Sequence, residues 1–468
     1  MQPVTVAEIA RVTGGQVIVG NGAAKITGVK TDSRQLTAGD LFVALPGERT
    51  DGHAFVSSAL AGAAEAALVS QVAAYSCPAG KAIILVPDTG QALLTLGAWY
   101  RGLFSVRTVG ITGSTGKTTV KDLTAHVLAS QFLTLKNLGN LNTEVGLPLT
   151  LFNLESKHRL AVLELAMRGP GQIHELAQVA QPEVGVITNV GVAHIELLGS
   201  QENIAQAKGE LLECLPENGL AVLNGDDPQV RSQAARARCP VVYFGLSEDV
   251  DFKASEIQTA GTAGLSFTVT GLCGEGRIQL PLVGQFNVLN ALPAIAVGHY
   301  FGLSFAEMSA ALSSVKPAAM RLNIIECPDK TLIIDDVYNA NPVSMRGALR
   351  TLADLAQGRR EVAILGDMME LGKFGPKAHE EIGKLAVQEG VDCLIAGGSL
   401  AQFIAQGAIS AGLNPDRVLT CPDACAVAEV AGKQVLPGDA VLVKASRGMQ
   451  FEQVVAALQQ ERRLGSSC

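Results

Sequence analysis

A glycine-rich segment with one lysine and two threonines has the composition of a phosphate-binding loop. It reads GITGSTGKTT over residues 110–119. Backbone N–H groups in such a loop and at a helix N-terminus favour anions, and glycines let the backbone wrap around them. A lysine adds positive charge, and the following threonine hydroxyl can bind Mg²⁺. We therefore predict nucleotide phosphate binding by Gly113, Ser114, Thr115, Gly116, Lys117, Thr118 and Thr119.

The loop departs from the general phosphate-loop pattern, which has glycine where this chain has Ile111. It follows the narrower pattern TG[ST]xGKTT. A chance glycine-rich turn is the alternative. The position directly after the apolar run Arg107–Ile111 and before an amphipathic helix argues against a chance turn.

Two polar side chains follow the next buried apolar runs. Glu164 comes directly after residues 160–163, and His194 comes shortly after residues 184–187. Parallel sheets bind ligands at the carboxyl ends of their strands, and a carboxylate there can bind the Mg²⁺ of a nucleotide. The alternatives are a solvated acid at a strand end and a structural histidine.

Apolar runs alternate with helical patterns in two parts of the chain. Continuous apolar strands separated by helices predict parallel sheets that are covered on both faces. The runs are residues 107–111, 160–163, 184–187 and 220–223, and then residues 331–334, 362–365, 393–396 and 440–443. Predicted helices include residues 89–101, 376–388 and 449–461.

The pattern changes twice along the chain. Short β runs such as residues 40–45 and glycine turns fill the first 88 residues, and a new α/β set begins after residues 315–317. We therefore predict an α/β protein with three domains. They are a small mixed α/β domain (1–88), a central P-loop ATPase-like parallel-sheet domain (89–317) and a C-terminal Rossmann-like α/β domain (318–468).

Composition argues against several other classes of protein. The net charge of -8 and the lack of a Lys/Arg-rich run argue against nucleic-acid binding. The start of the chain does not read as a secretory signal, and no apolar run reaches the ~18 residues of a spanning helix. The nine scattered cysteines read as reduced thiols. We expect a monomer in the cytoplasm that neither spans a membrane nor binds nucleic acid.

The order of motifs along essentially the whole chain resembles the Mur ligase family. The phosphate loop has that family's form. It is followed in order by Glu164, the segment TNVGVAH ending at His194, AQAKGE containing Lys208, GQFNVLNA containing Asn287 and Asn290, and DDVYNANPVS over residues 335–344. This resemblance implies an ADP-forming, ATP-dependent ligase of bacterial cell-wall synthesis.

The resemblance also implies roles at the nucleotide. Two Mg²⁺ ions would be bound by Thr118, Glu164, His194 and Lys208, with Lys208 carrying a carbamate. Asn287 would lie near the adenine beside Asn290. Arg321 and Asp336 would grip ATP when the C-terminal domain closes. The alternatives are an ordinary surface lysine at position 208 and a helix cap for the two asparagines.

Further segments resemble the family's substrate-binding regions. In the first domain, Thr31, Asp32, Ser33 and Arg34, together with the segment Asp51–His53, would bind the UDP-sugar. Asn142 and Thr143 would face the muramoyl peptide. In the C-terminal domain, Tyr338, Asn339, Asn341, Ser344, Asp367 and Glu370 would hold the incoming amine. Charged surface loops are the alternative for the C-terminal residues.

Two stretches favour one branch of the family. The sequences YNANP and GDMMELG resemble the branch that adds D-alanyl-D-alanine to UDP-N-acetylmuramoyl-tripeptide, and the DNPR motif of the branch adding the third residue does not occur. The remaining alternatives are that neighbouring branch, a folylpolyglutamate-type ligase and a P-loop switch or assembly ATPase. About 100 residues precede the phosphate loop, which argues against the folate type, and the additional α/β domain argues against a simple ATPase.

Overall fold

The computed structural model describes residues 1–47, 50–191 and 195–464. No helix in these ranges is long and apolar enough to cross a membrane.

The first part of the chain folds around a small mixed sheet. Its strands lie in the order β2-β7-β6-β5-β4, and only the β2–β7 pair is antiparallel. The predicted strand at residues 40–45 is confirmed over residues 40–43 as β5. The elements are β1 Val4–Thr5, α1 Val6–Thr13, β2 Gln16–Val19, β3 Lys25–Ile26, β4 Gly28–Lys30, β5 Asp40–Val43, α2 Val56–Ala61, β6 Ala64–Val69, β7 Ala82–Leu85 and α3 Thr89–Gly102.

The middle of the chain forms the largest sheet. Its elements are β8 Arg107–Thr112, α4 Lys117–Ala129, β9 Thr134–Lys136, α5 Gly146–Leu151, β10 Leu160–Glu164, α6 Gln172–Ala180, β11 Val184–Ile187, α7 Ile195–Leu198, α8 Gln201–Glu213, β12 Leu220–Asn224, α9 Pro228–Arg231, β13 Val241–Gly245, β14 Phe252–Thr259, β15 Leu265–Gly271, β16 Gly274–Leu280, α10 Phe286–Tyr300 and α11 Phe305–Ser313.

The strands of this sheet lie in the order β16-β15-β14-β13-β12-β11-β8-β10-β9. The predicted parallel pairing is confirmed for β8, β10, β11 and β12. It extends to β9, β13 and β14, which were not predicted. The structure adds antiparallel pairs from β14 to β16. Buried and partly exposed residues alternate along β15, as in a strand with one face towards solvent, whereas β10, β11 and β12 are buried throughout.

The last part of the chain forms a second α/β sheet in the order β17-β18-β22-β19-β20-β21. Only β17 runs antiparallel to its neighbour. The helix predicted from residue 449 begins at Glu452, because Arg447–Met449 forms a 3-10 turn. The elements are β17 Asn323–Glu326, β18 Leu332–Asp336, α12 Pro342–Ala356, β19 Glu361–Gly366, α13 Gly375–Gln388, β20 Cys393–Gly397, α14 Ala401–Ser410, β21 Val418–Cys421, α15 Ala424–Gln434, β22 Ala440–Lys444 and α16 Glu452–Leu464.

The strand order determines which loops meet. In the central sheet β8 lies between β10 and β11, so Glu164 pairs with Ile111 and Ile187 pairs with Thr112. The loops after these three parallel strands therefore lie at one edge of the sheet, where parallel sheets bind ligands.

Candidate active site

The phosphate loop connects β8 to α4 through backbone conformations that favour glycine. Gly113 has φ 150° and Gly116 has φ 79°. A Cβ atom on Gly113 would collide with Thr188 Oγ1, and one on Gly116 would collide with Asn290 Oδ1. Local sequence and close packing therefore both require these glycines.

The loop is held from the segment after β11. Asn189 Oδ1 accepts a hydrogen bond from the Thr115 N–H at 2.9 Å, and Thr188 Oγ1 donates to the Thr115 carbonyl at 2.6 Å. The Gly191 N–H donates to Ser114 Oγ at 2.8 Å. These bonds fix the loop, and the first N–H groups of α4 have no acceptor within the helix. The arrangement is suited to binding phosphate oxygens.

Lys117 begins α4, and its ammonium group lies over the loop. Its Nζ donates to the Gly113 carbonyl at 2.9 Å and to the Ser114 carbonyl at 3.4 Å. Burial lowers the pKa of Lys117 from its usual value, Glu164 opposes this shift and Arg321 adds to it. Both carbonyl contacts are ones that a bound phosphate could replace.

Thr118 joins three parts of the chain. Its Oγ1 donates to Glu164 Oε2 at 2.8 Å and accepts from Arg321 Nη2 at 3.0 Å. Asn142 Nδ2 donates to the other carboxylate oxygen of Glu164 at 2.8 Å. Glu164 is only 2% exposed, so the alternative of a solvated acid is wrong. A hydroxyl and a carboxylate at this spacing are the oxygen donors that Mg²⁺ prefers.

Lys208 lies on α8 and is only 2% exposed, so the alternative of a surface lysine is wrong. Burial lowers its pKa well below the usual value, and the charge of Lys117 lowers it further. Within the described ranges, no hydrogen bond or ion pair involves its Nζ. His194 lies outside the described residues.

Asn287 and Asn290 lie on the first turns of α10 and are buried. Asn290 Nδ2 donates to Asn287 Oδ1 at 2.8 Å, and Asn287 Nδ2 donates to the Val283 carbonyl at 2.7 Å. The pair also contacts the phosphate loop through the close approach of Asn290 to Gly116. It could therefore act both as a support for the loop and as part of a nucleotide site.

Arg321 extends from the C-terminal part of the chain towards the phosphate loop. Its guanidinium group lies over the Tyr338 ring, 4.1 Å from the ring centroid. Asp336 forms a 2.6 Å ion pair with Lys444, which is 1% exposed and also donates to the Asn339 carbonyl at 2.9 Å. Arg321 and Tyr338, which were predicted to contact nucleotide and amine respectively, therefore also contact each other.

Asn341 and Ser344 form the N-terminal cap of α12. The Ser344 N–H donates to Asn341 Oδ1 at 2.9 Å, and the Asn341 N–H donates to Ser344 Oγ at 3.0 Å. This reciprocal pair satisfies helix N–H groups that would otherwise lack an acceptor. A contact of either residue with substrate stays a prediction.

Asp367 and Glu370 differ in their surroundings. Asp367 is 7% exposed, and its carboxylate accepts from the Ser399 N–H at 2.9 Å and the Leu400 N–H at 3.1 Å. Glu370 is exposed and has φ 63°. Substrate binding by either residue also stays a prediction, although the carboxylate of Asp367 already supports the start of α14.

The predicted UDP-sugar residues lie together in the first part of the chain. Asp32 accepts from Arg34 Nε at 2.9 Å and Nη2 at 2.8 Å, and these bonds hold the pKa of Asp32 well below its usual range. Thr31 and Ser33 are half-buried beside them. In the same part of the chain, Asp51 Oδ1 lies 2.6 Å from His53 Nδ1.

A cleft of about 1220 Å³ brings most of the predicted nucleotide residues together with residues of the C-terminal part. Its walls include Ser114, Thr115, Gly116, Lys117, Thr118, Thr119, Asn142, Glu164, Asn287, Asn290, Arg321, Asp336, Tyr338, Asn339, Asn341 and Ser344. The other predicted residues are not among its lining residues: Gly113, Thr143, Lys208, Thr31, Asp32, Ser33, Arg34, Asp367 and Glu370.

Two buried residues next to the cleft were not predicted from the sequence. Asn137 is 0% exposed and Lys121 is 2% exposed, and both contribute to the surroundings of Glu164. Asn137 directly follows β9, and a polar residue after a strand is the same signal that indicated Glu164. The short strand Thr134–Lys136 has no apolar run that would have revealed that signal.

The chain matches three domain families along its length. Residues 25–98 match the catalytic domain of the Mur ligase family, residues 111–298 match the Mur ligase middle domain, and residues 320–447 match the Mur ligase glutamate ligase domain.

Relatives and solved structures extend this similarity over nearly the whole chain. The chain is 37% identical to the UDP-N-acetylmuramoyl-tripeptide–D-alanyl-D-alanine ligase of Bacillus subtilis, over 92% of the chain and 93% of that relative. A crystal structure of MurF from Acinetobacter baumannii is 30% identical and has a TM-score of 0.89, with 98% of this chain and 99% of the other covered. The MurF ligase of Thermotoga maritima in complex with ADP is 30% identical with a TM-score of 0.81, over 93% and 97% of the two chains. The chain belongs to the Mur ligase family.

Proposed function

We propose that this chain is an ADP-forming ligase that joins D-alanyl-D-alanine to UDP-N-acetylmuramoyl-tripeptide. The observation that carries the proposal is the contact of Thr118 with both Glu164 and Arg321, because it links the phosphate loop to the C-terminal part of the chain. The name of the Bacillus subtilis relative, which aligns over 92% of the chain, supports the choice of substrates.

We assign one substrate to each of the three predicted domains. Residues 1–88 bind the UDP-sugar end of the tripeptide substrate, residues 89–317 bind ATP, and residues 318–468 bind the dipeptide. The five-stranded, nine-stranded and six-stranded sheets, which follow one another along the chain, support this division. The cleft between the phosphate loop and Tyr338 is where the terminal carboxylate of the tripeptide would meet ATP and the incoming amine.

Formation of an amide from a carboxylate and an amine in water requires activation of the carboxylate. The terminal carboxylate of the tripeptide attacks the γ-phosphate of ATP, which gives an acyl phosphate and ADP. The amine of D-alanyl-D-alanine then attacks the acyl carbon, the carbon–oxygen bond to phosphate breaks, and the amine loses a proton. Lys117 neutralises charge that develops on the transferred phosphoryl group.

The donor set at Thr118 and Glu164 fits Mg²⁺, because both atoms are hard oxygen donors 2.8 Å apart. We propose two Mg²⁺ ions, held by Thr118, Glu164, His194 and a carbamate on Lys208. When bound, Mg²⁺ neutralises charge on the phosphates of ATP. Asn142 orients the Glu164 carboxylate through its 2.8 Å bond to Oε1.

Arg321 and Asp336 belong to the C-terminal part, and both line the cleft. Arg321 contributes positive charge next to Thr118. Asp336 is held by its ion pair with Lys444 and lines the same cleft as the phosphate loop. Closure of this part over the cleft excludes water, which would otherwise hydrolyse the acyl phosphate.

The proposed carbamate on Lys208 is supported by its surroundings. A plain ammonium group would be buried near a second lysine, Lys117, without an ion-pair partner in the described part of the chain. Reaction of the neutral amine with CO₂ gives a carbamate and releases a proton, and this replaces a cation with two oxygen donors.

We predict that Lys208→Ala is nearly inactive and that acetate partly restores its ligation rate by supplying the missing carboxylate. The measurement is the rate of ADP release with and without acetate, and Lys157→Ala, at an exposed lysine, is the control. Wild-type turnover by Lys208→Ala would exclude the carbamate.

The decisive experiment identifies the product by mass. The protein is incubated with MgATP, UDP-muramoyl tripeptides containing L-lysine or meso-diaminopimelate, and D-alanyl-D-alanine. A pentapeptide product together with ADP supports the proposal. The neighbouring branch would instead extend a dipeptide substrate by one residue, a folylpolyglutamate-type ligase would extend a folate, and a switch ATPase would release ADP without any carboxylate substrate.

We also propose that the enzyme acts as a monomer in the cytoplasm. Sedimentation of the purified protein at working concentration measures the oligomeric state. A stable dimer would contradict this part of the proposal.

A further inference from the structure

The side chain of Asn137 extends the hydrogen bonding of the central sheet beyond the end of β9. Strand β9 ends at Lys136, and Asn137 follows it with 0% exposure. The Glu164 N–H donates to Asn137 Oδ1 at 3.0 Å, and Asn137 Nδ2 donates to the Glu164 carbonyl at 3.1 Å. The side-chain amide thereby replaces the backbone partner that β9 no longer provides, and it fixes the backbone that carries the Glu164 carboxylate.

The same amide group also holds the loop that follows it. Asn137 Nδ2 donates to the Leu141 carbonyl at 2.9 Å. The next residue, Asn142, donates to Glu164 Oε1 at 2.8 Å, and its carbonyl accepts from the Ala166 N–H at 2.9 Å. Asn137 therefore bonds to the backbone of Glu164 and to the carbonyl of Leu141, the residue before Asn142. It thereby restrains both residues of the Glu164–Asn142 hydrogen bond.

Lys121 connects this arrangement to the helix of the phosphate loop. It lies one helical turn after Lys117 on α4, is 2% exposed, and donates from Nζ to the Asn137 carbonyl at 2.8 Å. Asp122 Oδ1 lies 3.5 Å from the same Nζ. A buried ammonium group that bonds a backbone carbonyl restrains both elements, because loss of the bond would leave the charge without its closest acceptor.

We propose that Asn137 is a positioning residue for Glu164 and Asn142, and that Lys121 holds Asn137 in place from the phosphate-loop helix. The inference rests on the proposed function, in which Glu164 binds the metal of the nucleotide. Neither Asn137 nor Lys121 is among the lining residues of the cleft, so both act through Glu164 and not by touching substrate.

The test compares Asn137→Ala with Asn153→Ala in the full-length chain. Asn153 is a suitable control because its Nδ2 also bonds two backbone carbonyls, Leu149 at 2.9 Å and Thr150 at 3.2 Å, without contact to Glu164. The measured quantities are kcat, the KM for D-alanyl-D-alanine, and the half-saturating Mg²⁺ concentration, determined both from ligation and from the rise in unfolding temperature that Mg²⁺ causes in the presence of ADP. Loss of a residue that orients a metal ligand typically weakens metal binding about 10- to 100-fold.

We expect Asn137→Ala to raise the half-saturating Mg²⁺ concentration about tenfold and to leave the dipeptide KM within about twofold of wild type. Asn153→Ala should change neither. A purely structural role would reduce the active fraction, which lowers kcat without moving the Mg²⁺ dependence. Unchanged Mg²⁺ dependence in folded Asn137→Ala would overturn the inference.

Lys121→Met provides a second, independent variant and decides the question if Asn137→Ala does not fold. It removes the charge and the bond to Asn137 while a long side chain still fills the site. We expect the same direction of change in Mg²⁺ dependence, with Lys157→Met as the exposed-lysine control. Normal Mg²⁺ dependence of Lys121→Met would contradict the role of Lys121. Failure of wild-type protein to ligate the dipeptide would instead contradict the proposed function.

Discussion

Thr118 is the residue at which the phosphate loop, the central sheet and the C-terminal part of the chain meet. Its hydroxyl group has one donor, which it gives to Glu164, and it accepts one bond from Arg321. A hydroxyl group can rotate so that its oxygen binds a cation while its proton turns to another acceptor. In the proposed function, Thr118 would exchange these two internal bonds for contacts with nucleotide and metal.

We predict that Lys117→Ala loses at least about 10²-fold in ligation rate, because removal of one preorganised charge at a phosphoryl group has that order of effect. The fold should persist, since the hydrogen bonds of Lys117 to described residues go to carbonyls of the loop itself. The measurements are kcat and the thermal unfolding temperature, with Lys157→Ala as the control for an exposed lysine. Near-normal turnover of Lys117→Ala would contradict the proposed role of this loop in binding the phosphates of ATP.

Substitutions of Tyr338 test whether the loop that contains it contributes to binding of the nucleotide or of the amine. Its ring supports the Arg321 guanidinium group at 4.1 Å. Tyr338→Phe keeps the ring face and should behave like wild type. Tyr338→Leu should raise the KM for ATP about fivefold, the size of one cation–π contact. A rise in the dipeptide KM in Tyr338→Phe would show instead that the hydroxyl group binds the amine substrate.

At the scale of elements, the start of β19 contains a carboxyl group with an unusual environment. Glu361 Oε2 is buried and has no hydrogen-bond partner among the described residues. Burial raises the pKa of Glu361 to about 7, and the charges of Asp392 and Glu389 add to this shift. The folded protein therefore keeps a proton on Glu361 at pH values at which the unfolded chain, near pKa 4.5, has lost it.

Because the folded state binds the additional proton, this group lowers stability progressively as pH rises from about 4.5 to about 7, and the full loss persists above that range. We predict that Glu361→Gln, which stays neutral, raises the unfolding temperature at pH 8 and has a smaller effect at pH 5. The matched control is Glu429→Gln on the exposed face of α15. Equal unfolding temperatures of Glu361→Gln and wild type at pH 8 would contradict the raised pKa.

At the scale of the whole molecule, two separate sheets contribute side chains to the candidate site. The phosphate loop and Glu164 lie on the central sheet, whereas Arg321 and Tyr338 flank the C-terminal sheet. Their side chains converge in one cleft. In the proposed function, this arrangement would allow the C-terminal part to set the amine specificity without change to the phosphate loop.

We predict that ADP formation in the presence of the UDP-muramoyl tripeptide depends on the dipeptide. D-alanyl-D-alanine should support full turnover, and free L-lysine or meso-diaminopimelate should not. The reasons are the YNANP and GDMMELG stretches and the lack of a DNPR sequence. The measurement is the rate of ADP release with each amine. Turnover with meso-diaminopimelate as the amine would move the chain to the neighbouring branch of the family.

The sequence by itself determined the phosphate loop, the apolar strands and the order of the motifs. These features are local: Gly113 and Gly116 adopt their backbone conformations within a few residues, and a buried parallel strand needs only a continuous apolar run. The antiparallel strands β15 and β16 were not predicted, because neither contains a continuous apolar run.

Only the tertiary structure decided which side chains bind one another. Arg321 and Thr118 are 203 residues apart, and Asn137 and Glu164 are 27 apart. Their contacts depend on the order of strands in the sheets, with β8 between β10 and β11, and local patterns carry no information about that order. Burial of Lys208 was likewise decided by packing, because the same lysine on an isolated helix would be solvated.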